Sequence, residues 1–406
     1  MTKHTNAPAL RFPEFRDEWE MKIIKELFNV VSGSTPLRSN TSYYENGNIP
    51  WVKTTDLNNS LINNTSEKVT NIALDNLKLL PKDTVLIAMY GGFNQIGRTG
   101  ILNIKATTNQ AISALIKKDD YNSKFLQSYL NFNVKQWRRF AASSRKDPNI
   151  TKKDIEKFKI PYTCREEQEK IGTFFSKLDR QIELEEEKLE LLEQQKRGYM
   201  QKVFSQELRF KDKKDNYYSD WKNCQLKDLT YYKNGKGYEK VATTNGKYNI
   251  INLNSIGIKG QLKDSGKYTD FEDDTLLKND LIMILSDVAK GNLIGMTAII
   301  DEDNKYLLNQ RIALLRIKNS LITNAYFLYL YINFNRKYFI NMSAGMSQLN
   351  INKKTVEDFP VNLPNIEEQN KIAILFKNYE DTIKKQASKV KLLKQRKQGL
   401  LQKMFV

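Results

Sequence analysis

Histidine and cysteine, two residue types that often catalyse reactions or bind metals, are scarce in this 406-residue sequence, and they stand far apart. The single histidine, His4, lies in a polar N-terminal stretch, which excludes histidine acid–base catalysis, a Ser–His–Asp triad and a His-ligated metal. The two cysteines, Cys164 and Cys224, lack metal-ligand spacing and are typical of a reducing compartment. We therefore expect a cytoplasmic binding protein without a catalytic or metal site.

Phosphate-binding and methyl-transfer motifs are also missing. The sequence has no G-x-x-x-x-G-K-[ST] loop and no Asn-Pro-Pro-aromatic run. Gly91, Gly92, Gly97 and Gly100 lack the G-x-G-x-x-G spacing and favour a pair of turns between strands. No pair of carboxylates stands out as a catalytic pair. We expect no signal peptide and no membrane partner, since apolar runs such as Tyr326 to Ile332 are too short to span a bilayer.

The charge balance favours an anionic partner. Lys and Arg number 65 against 47 Asp and Glu, a net charge of +18. Residues 1–164 carry 24 basic and 15 acidic side chains, and residues 205–365 carry 23 and 18. This excess predicts DNA or RNA as a partner ahead of a membrane surface. The alternative is that the protein comes from a Lys-rich proteome and that its charge has no specific partner.

The sequence repeats itself at an offset of 201 positions. Asn149 to Lys153 returns as Asn350 to Lys354, and Glu166 to Gln168 returns as Glu367 to Gln369, without a gap. Two copies of one unit predict a molecule with approximate two-fold symmetry, which suits the two-fold symmetry of a DNA duplex.

The repeat divides the sequence into four segments and predicts an α+β fold. Residues 1–164 and 205–365 are predicted to be two similar globular domains, and residues 165–204 and 366–406 two long helices. The first domain shows short apolar runs typical of strands, followed by a helical pattern. These runs are Ile49 to Val52, Thr84 to Met89 and Ile112 to Ile116, and the predicted helix is Phe125 to Arg139, with Phe125, Tyr129, Phe132 and Gln136 on one face.

The two helical segments show apolar residues at alternating steps of four and three, which predicts a heptad seam and antiparallel pairing. Polar pairs interrupt both seams at equivalent positions, Glu185 with Gln386 and Lys196 with Lys397. The first segment is rich in Glu at its middle and the second in Lys, so charge favours their pairing. The predicted pairing residues are Ile171, Phe175, Leu178, Ile182, Leu189, Leu192, Ile372, Phe376, Tyr379, Ile383, Val390 and Leu393. We expect Phe174 and Phe204, beside the seam, to contact a second partner.

On these residues the sequence resembles the specificity (S) subunits of bacterial Type I restriction–modification systems. The resemblance depends on Ser32 to Pro36, Ile49 to Lys53, Asn149 to Ile155 and the repeated Glu-Glu-Gln followed by a long helix. The second copy departs from the pattern, because no Thr-Pro follows Gly235 and the later strand lacks a proline.

The resemblance implies a non-catalytic subunit with two target-recognition domains, each reading one half of a split site in double-stranded DNA. The two helices would act as a spacer and bind two modification (methyltransferase) subunits. S-adenosylmethionine would bind to those subunits, and ATP and Mg to further restriction (translocase and nuclease) subunits. No cofactor is expected in this chain.

Arg, Lys, Asn, Gln, Ser and Thr in loops at strand ends are the candidates for contacting DNA. In the first domain they are accompanied by one tyrosine: Ser34, Thr35, Arg38, Lys53, Thr54, Tyr90, Arg98, Ser143, Ser144, Arg145 and Lys146. In the second domain they are accompanied by one glycine and one methionine: Lys236, Asn252, Asn254, Ser286, Lys290, Arg311, Gly345, Met346, Ser347 and Gln348. A surface or turn role is the alternative for each of them. Trp19, Trp221, Phe158 and Phe359 hold equivalent places and are predicted to be core residues.

Two other classes of function stay open on the sequence. A stand-alone DNA- or RNA-binding regulator would bind with high affinity without a partner protein. A coiled-coil scaffold would show no salt-sensitive binding to DNA.

Overall fold

The computed structural model describes residues 7–92, 94–141, 149–287, 293–345 and 348–405. The chain divides into two compact units. Unit 1 contains residues 1–188 and 386–406, and unit 2 contains residues 189–385. Each unit therefore includes part of both long helices, whereas the four segments taken from the repeat stay a prediction as domain boundaries. The predicted α+β architecture, with a long helix after each globular part, is confirmed.

In the described part of unit 1, the largest sheet has the strand order β2-β9-β6-β7-β4, with only β7 and β4 parallel. A three-stranded sheet has the order β5-β3-β8, and β1 pairs with β10. The strands are β1 (Glu20–Ile23), β2 (Phe28–Ser32), β3 (Ile49–Val52), β4 (Ser60–Ile62), β5 (Glu67–Val69), β6 (Val85–Ala88), β7 (Thr99–Leu102), β8 (Thr107–Thr108), β9 (Ile112–Lys117) and β10 (Lys159–Tyr162). The shorter helices are α1 (Ile24–Leu27), α2 (Ser123–Phe132), α3 (Val134–Ala141) and α4 (Lys152–Lys157).

The described part of unit 2 repeats this plan. A four-stranded sheet has the order β12-β19-β15-β17, a three-stranded sheet the order β14-β13-β18, and β11 pairs with β21. The short pair β16 and β20 completes it. The strands are β11 (Lys222–Gln225), β12 (Thr230–Asn234), β13 (Tyr248–Ile251), β14 (Tyr268–Thr269), β15 (Leu281–Ile284), β16 (Ser286–Asp287), β17 (Thr297–Ile299), β18 (Tyr306–Leu308), β19 (Ile312–Ile317), β20 (Leu349–Asn350) and β21 (Pro360–Leu363). The shorter helices are α6 (Leu226–Leu229), α7 (Ala325–Phe334), α8 (Lys337–Met342) and α9 (Lys353–Glu357).

The central strand of each large sheet is apolar on both faces. In β6, Val85 and Ile87 pack into the main core of unit 1, while Leu86 and Ala88 pack into a second core on the opposite face. Because successive side chains of a strand point to opposite faces, a strand that is covered on both sides needs a continuous apolar run. β15 in unit 2 divides its side chains between two cores in the same way.

The single helix predicted over Phe125 to Arg139 is wrong. α2 ends at Phe132, where the Asn133 side chain donates a hydrogen bond to the Tyr129 carbonyl (3.0 Å), and α3 begins at Val134. Gln136, predicted on the buried face, is exposed, and Trp137 is buried instead. An asparagine side chain that bonds a backbone carbonyl competes with the helical ladder.

The long helices are α5 (Arg165–Phe204) and α10 (Ile366–Met404). In unit 1, Glu185 pairs with Lys389 (2.5 Å), and Asp179 pairs with Lys397. In unit 2, Lys196 pairs with Glu380 (2.6 Å), and the ring centre of Tyr199 lies 5.8 Å from that of Tyr379. One residue number falls as the other rises, so the parts of the two helices within each unit run antiparallel.

The predicted seam positions are buried or half-buried. The polar pair Glu185 and Gln386, which interrupts the seam, is hydrogen-bonded. Gln386 is buried and its side chain donates to the carboxylate of Glu185 (2.7 Å). A satisfied polar pair in an apolar seam fixes the register of the two helices.

Residues near the C-terminal end of each long helix belong to a core. Phe405, Met404 and Leu401 pack in the main core of unit 1, and Phe204 packs with Val203 in that of unit 2. The expectation that Phe204 contacts a partner is therefore wrong. Phe174 is half-buried against Phe12, at a ring-centroid distance of 6.3 Å.

Candidate nucleic-acid interface

A buried carboxylate fixes the entry to each long helix. In unit 1, Glu167 accepts hydrogen bonds from Arg11 (2.6 and 2.7 Å) and from the Trp19 indole (2.9 Å). Burial disfavours the charged form of Glu167, but the bonds from Arg11, Thr163 and Trp19 outweigh it and lower the pKa of the carboxyl. The repeated Glu-Glu-Gln motif is thus structural at its second position.

The same contacts recur in unit 2. Glu368 accepts from Arg209 (2.8 and 2.9 Å) and from the Trp221 indole (3.2 Å). The glutamine of the motif is structural as well. Gln168 accepts a hydrogen bond from the backbone N–H of Asn122, and Gln369 accepts the equivalent bond from Asn324. These contacts join each long helix to the N-terminus of α2 or α7. Trp19, Trp221, Phe158 and Phe359 are buried, as predicted.

The loop after β2 and the loop after β12 occupy the same place in the two units. A side chain at Gly33 would approach the carbonyl oxygen of Asn109 to 2.2 Å, and one at Gly235 would approach that of Asn309 to 1.9 Å. Only glycine fits there, and the backbone N–H of the next residue, Ser34 or Lys236, bonds the last carbonyl of β8 or β18. This frame presents the side chains that follow it to solvent.

In unit 1, two predicted cations meet at one carboxylate beside this loop. Arg38 donates two hydrogen bonds to Glu67 (3.0 and 2.9 Å), and the Lys53 ammonium lies 3.0 Å from the same carboxylate. The bonds from Arg38, followed by those from Lys53, outweigh partial burial and lower the pKa of Glu67 to about 2. Glu67 is therefore a carboxylate at neutral pH.

Two aromatic rings support this arginine. The guanidinium carbon of Arg38 lies 4.5 Å from the ring centre of Tyr44 and 4.9 Å from that of Trp51. The Tyr44 hydroxyl donates to the Pro36 carbonyl (2.6 Å), and the buried Trp51 indole donates to the Ser34 carbonyl (3.3 Å). We call Arg38, Tyr44, Trp51, Lys53 and Glu67 the Arg38 cluster.

Unit 2 has a different group at the equivalent loop. Lys236 binds both oxygens of Asp273 (2.6 and 2.8 Å), and the Tyr238 hydroxyl donates to the same carboxylate (2.9 Å). The bond from Lys236 is the main cause that lowers the pKa of Asp273 to about 2. We call these three residues the Lys236 cluster; they line an open cavity of about 450 Å³.

Other predicted contact residues are placed less favourably for reading DNA. Ser286 is only 3% exposed and contacts the Gln348 side chain, so it is a core residue of the β16–β20 pair. Asn252 caps a short turn by accepting from the backbone N–H of Asn254 (2.8 Å). Arg98 donates to the carbonyl of Asn94 within its own turn (2.9 Å).

The remaining predicted residues lie in loops or outside the described part of the chain. Thr35 contacts the Gln110 side chain, Thr54 begins a 3₁₀ turn, and Tyr90 is exposed. Arg311 and Gly345 have positive φ values of 69° and 126°. Ser143, Ser144, Arg145, Lys146, Lys290, Met346 and Ser347 lie outside the described residues. DNA contact by any of the described residues stays a prediction.

The sequence reasoning missed the acidic members of the two clusters and two glutamines in the neighbouring loops. Glu67 and Asp273 carry no sequence signal that singles them out among the 47 acidic residues. Gln110 and Gln310 do carry one, because Asn109-Gln110 returns in the second half of the sequence as Asn309-Gln310. Gln310 donates to Glu239 beside the Lys236 cluster (2.6 Å).

The described residues contain no group of three or more His, Cys, Asp or Glu side chains that could hold a metal ion. Within the same ranges, no helix is long and apolar enough to cross a membrane.

Two copies of one α+β domain, each with charged side chains on the same loop, define a duplicated recognition protein.

A family model described as "Type I restriction modification DNA specificity domain" matches residues 16–194 and again residues 218–394. The chain belongs to this family, and the family resemblance noted in the sequence is confirmed.

Full-length relatives agree. The Type I restriction enzyme MjaVIII specificity subunit of Methanocaldococcus jannaschii is 22% identical over 92% of this chain and 88% of its own length. The crystal structure of the S subunit of a Type I restriction–modification system from M. genitalium has a TM-score of 0.64 at 17% identity, over 98% of this chain and 99% of that one. A chain from a structure on complex assembly and conformational transition of the type I R-M system has a TM-score of 0.55 at 15% identity, over 95% and 97%. These structures support the fold.

Proposed function

We propose that this specificity subunit reads a split DNA site, one half through each unit, and directs partner subunits to that site. The observation that carries the proposal is the frame that both units share, which holds different charged groups at the same loop. The Arg38 cluster presents a guanidinium on aromatic rings, and the Lys236 cluster presents an ammonium beside a tyrosine hydroxyl. Two modules that read different ligands are expected to share a scaffold and differ in their loops.

The chemistry would belong to the partners. We propose that two modification subunits bind each chain and carry S-adenosylmethionine, and that restriction subunits add ATP- and Mg-dependent steps. One structural neighbour belongs to a structure on complex assembly and conformational transition of the type I R-M system, which supports an assembly of this kind. Light scattering of the co-purified assembly would count the modification subunits. The spacer role of α5 and α10 stays a prediction.

Domain exchange tests the proposal. Residues 1–150 are replaced by the equivalent part of a homologue with another recognition site, and the chimera is co-expressed with the cognate modification subunits. Methylation mapping of the genome should show a new sequence in one half of the split motif and the original sequence in the other half. An unchanged motif, or the loss of both halves together, would contradict independent reading by the two units.

A further inference from the structure

The guanidinium of Arg38 keeps one recognition edge open. Its two bonds to Glu67 come from both terminal nitrogens, which is an end-on pair. An end-on pair does not use the second edge of the guanidinium, which is formed by Nε–H and the outer N–H of one terminal nitrogen. The described residues supply no acceptor for this Nε–H. Two parallel N–H donors at this spacing match the O6 and N7 acceptors of guanine in the major groove.

The surroundings of Arg38 restrict its orientation while leaving it accessible. Tyr44 and Trp51 lie within 5 Å of the guanidinium carbon, and hydrogen bonds to the loop backbone fix both rings. The Arg38 side chain is nevertheless 52% exposed. A fixed and exposed fork loses less side-chain entropy when it binds than a free arginine does.

Glu67 also limits the charge of the cluster. One carboxylate stands against the two cations Arg38 and Lys53, so the group carries a net charge of +1 rather than +2. Lower charge weakens attraction to phosphate on every sequence and leaves the directional contact to a base as the larger part of binding.

Resting on the proposed function, we infer that Arg38 reads a guanine in the half-site recognised by unit 1, and that Glu67 is its positioning residue. The ligand of Arg38 is the guanine edge that carries O6 and N7. Contact of the same arginine with phosphate is the competing outcome of the test.

Arg139 in α3 provides a matched control. It is exposed and has no hydrogen-bond or ion-pair partner among the described residues. Because nothing fixes its orientation, Arg139→Ala should remove at most a phosphate contact. Arg38→Lys keeps the charge and removes the fork, and Glu67→Gln keeps the size and removes the carboxylate charge.

The experiment uses the full chain co-purified with its modification subunits. The probe is a duplex that carries the split site found by methylation mapping of the wild-type assembly, together with duplexes in which each base pair of both half-sites is changed in turn. Binding is measured by competition at several salt concentrations. The half-site that no Arg38 variant affects reports that the assembly is folded.

Arg38→Lys and Arg38→Ala should lower the preference for guanine at one position of one half-site by on the order of tenfold. Glu67→Gln should lower it less and should steepen the salt dependence by about one unit of log–log slope, since an uncompensated cation is added. A purely structural role of Glu67 would weaken binding without steepening that slope. Arg139→Ala should leave every base preference unchanged.

Three results would overturn the inference. Arg38→Lys could behave like Arg139→Ala, with all base preferences intact, which would make Arg38 a phosphate contact. The half-site of unit 1, identified by domain exchange, could contain only A·T pairs. The wild-type assembly could also show no split site at all; in that case the proposed function fails, and this inference falls with it.

Discussion

The loops after β2 and β12 occupy equivalent positions in the two units, yet they carry different kinds of cation. Unit 1 offers the planar, ring-supported fork of Arg38, and unit 2 offers the compact ammonium of Lys236. A fork selects acceptors by direction, whereas an ammonium acts as a point charge with rotatable donors. This difference is what we expect of two units that recognise different surfaces with the same scaffold.

What the two units share is buried. Glu167 and Glu368 are both 0% exposed and have the same arginine and tryptophan partners. Changing one partner of such a contact leaves a buried charge unpaired, while changing an exposed loop residue costs little. The repeated residues therefore stabilise each unit internally, and the residues that differ are the candidates for recognition.

The largest expected effect separates the cores of the two units. Deleting residues 401–406 removes Leu401, Met404 and Phe405 from the main core of unit 1. Each buried side chain contributes about 2–5 kcal/mol, and their sum is comparable with the whole stability of a domain. Hydrogen exchange should show loss of protection in unit 1 and retention in unit 2. Phe204→Ala should give the converse, and equal loss in both units would contradict separate cores.

A smaller effect should be equal in the two units. Glu167→Ala should destabilise unit 1, and Glu368→Ala unit 2, by about 3–5 kcal/mol each, because removing the buried carboxylate leaves a half-buried arginine and a buried indole without their acceptor. Denaturant unfolding followed by unit-resolved hydrogen exchange measures both. The control is Glu14→Ala, which removes the exposed partner of Lys170 and should leave the unfolding transition nearly unchanged. If only one of the two buried carboxylates matters, their equivalence is refuted.

The smallest effect concerns the repeated Asn-Ile-x-Lys-Lys motif. Thr151 caps α4 by accepting from the backbone N–H of Asp154 (3.2 Å), and Asn352 caps α9 through that of Thr355 (2.8 Å). Replacing either cap by alanine should cost about 1 kcal/mol. A shift in the unfolding midpoint would show it. Changes at Lys153 or Lys354, which accompany the caps without forming them, should stay within about 0.5 kcal/mol.

Much of the fold could be predicted from the sequence because its signals are local. The heptad seams predict α5 and α10, and the apolar run at Ile49 to Val52 coincides with β3. The break between α2 and α3 could not be predicted, since the apolar spacing continues across Asn133 while its side chain bonds a backbone carbonyl. Periodicity does not report such a competing bond.

The candidate interface was only partly predictable for a related reason. Arg38 and Lys53 have the residue types that read DNA, so sequence pointed to them. Their meeting at Glu67 depends on the pairing of β3 with β5, which sets Trp51 opposite Glu67. Ser286 is poorly placed to contact DNA, and sequence could not show this because its burial in the β16–β20 pair depends on a contact with distant Asn350. Contacts between distant residues require the tertiary fold.

The position of Leu401, Met404 and Phe405 in the core of unit 1 has a consequence for synthesis on the ribosome. Unit 2 is continuous from residue 189 to residue 385, so all of it is made before these three residues exist. At about 5–20 residues per second, the 213 positions from Lys188 to Leu401 take on the order of 10–40 s. During that interval the strands of unit 1 have been synthesised, but three side chains of its core have not. We therefore expect unit 1, although it is translated first, to complete its core after unit 2.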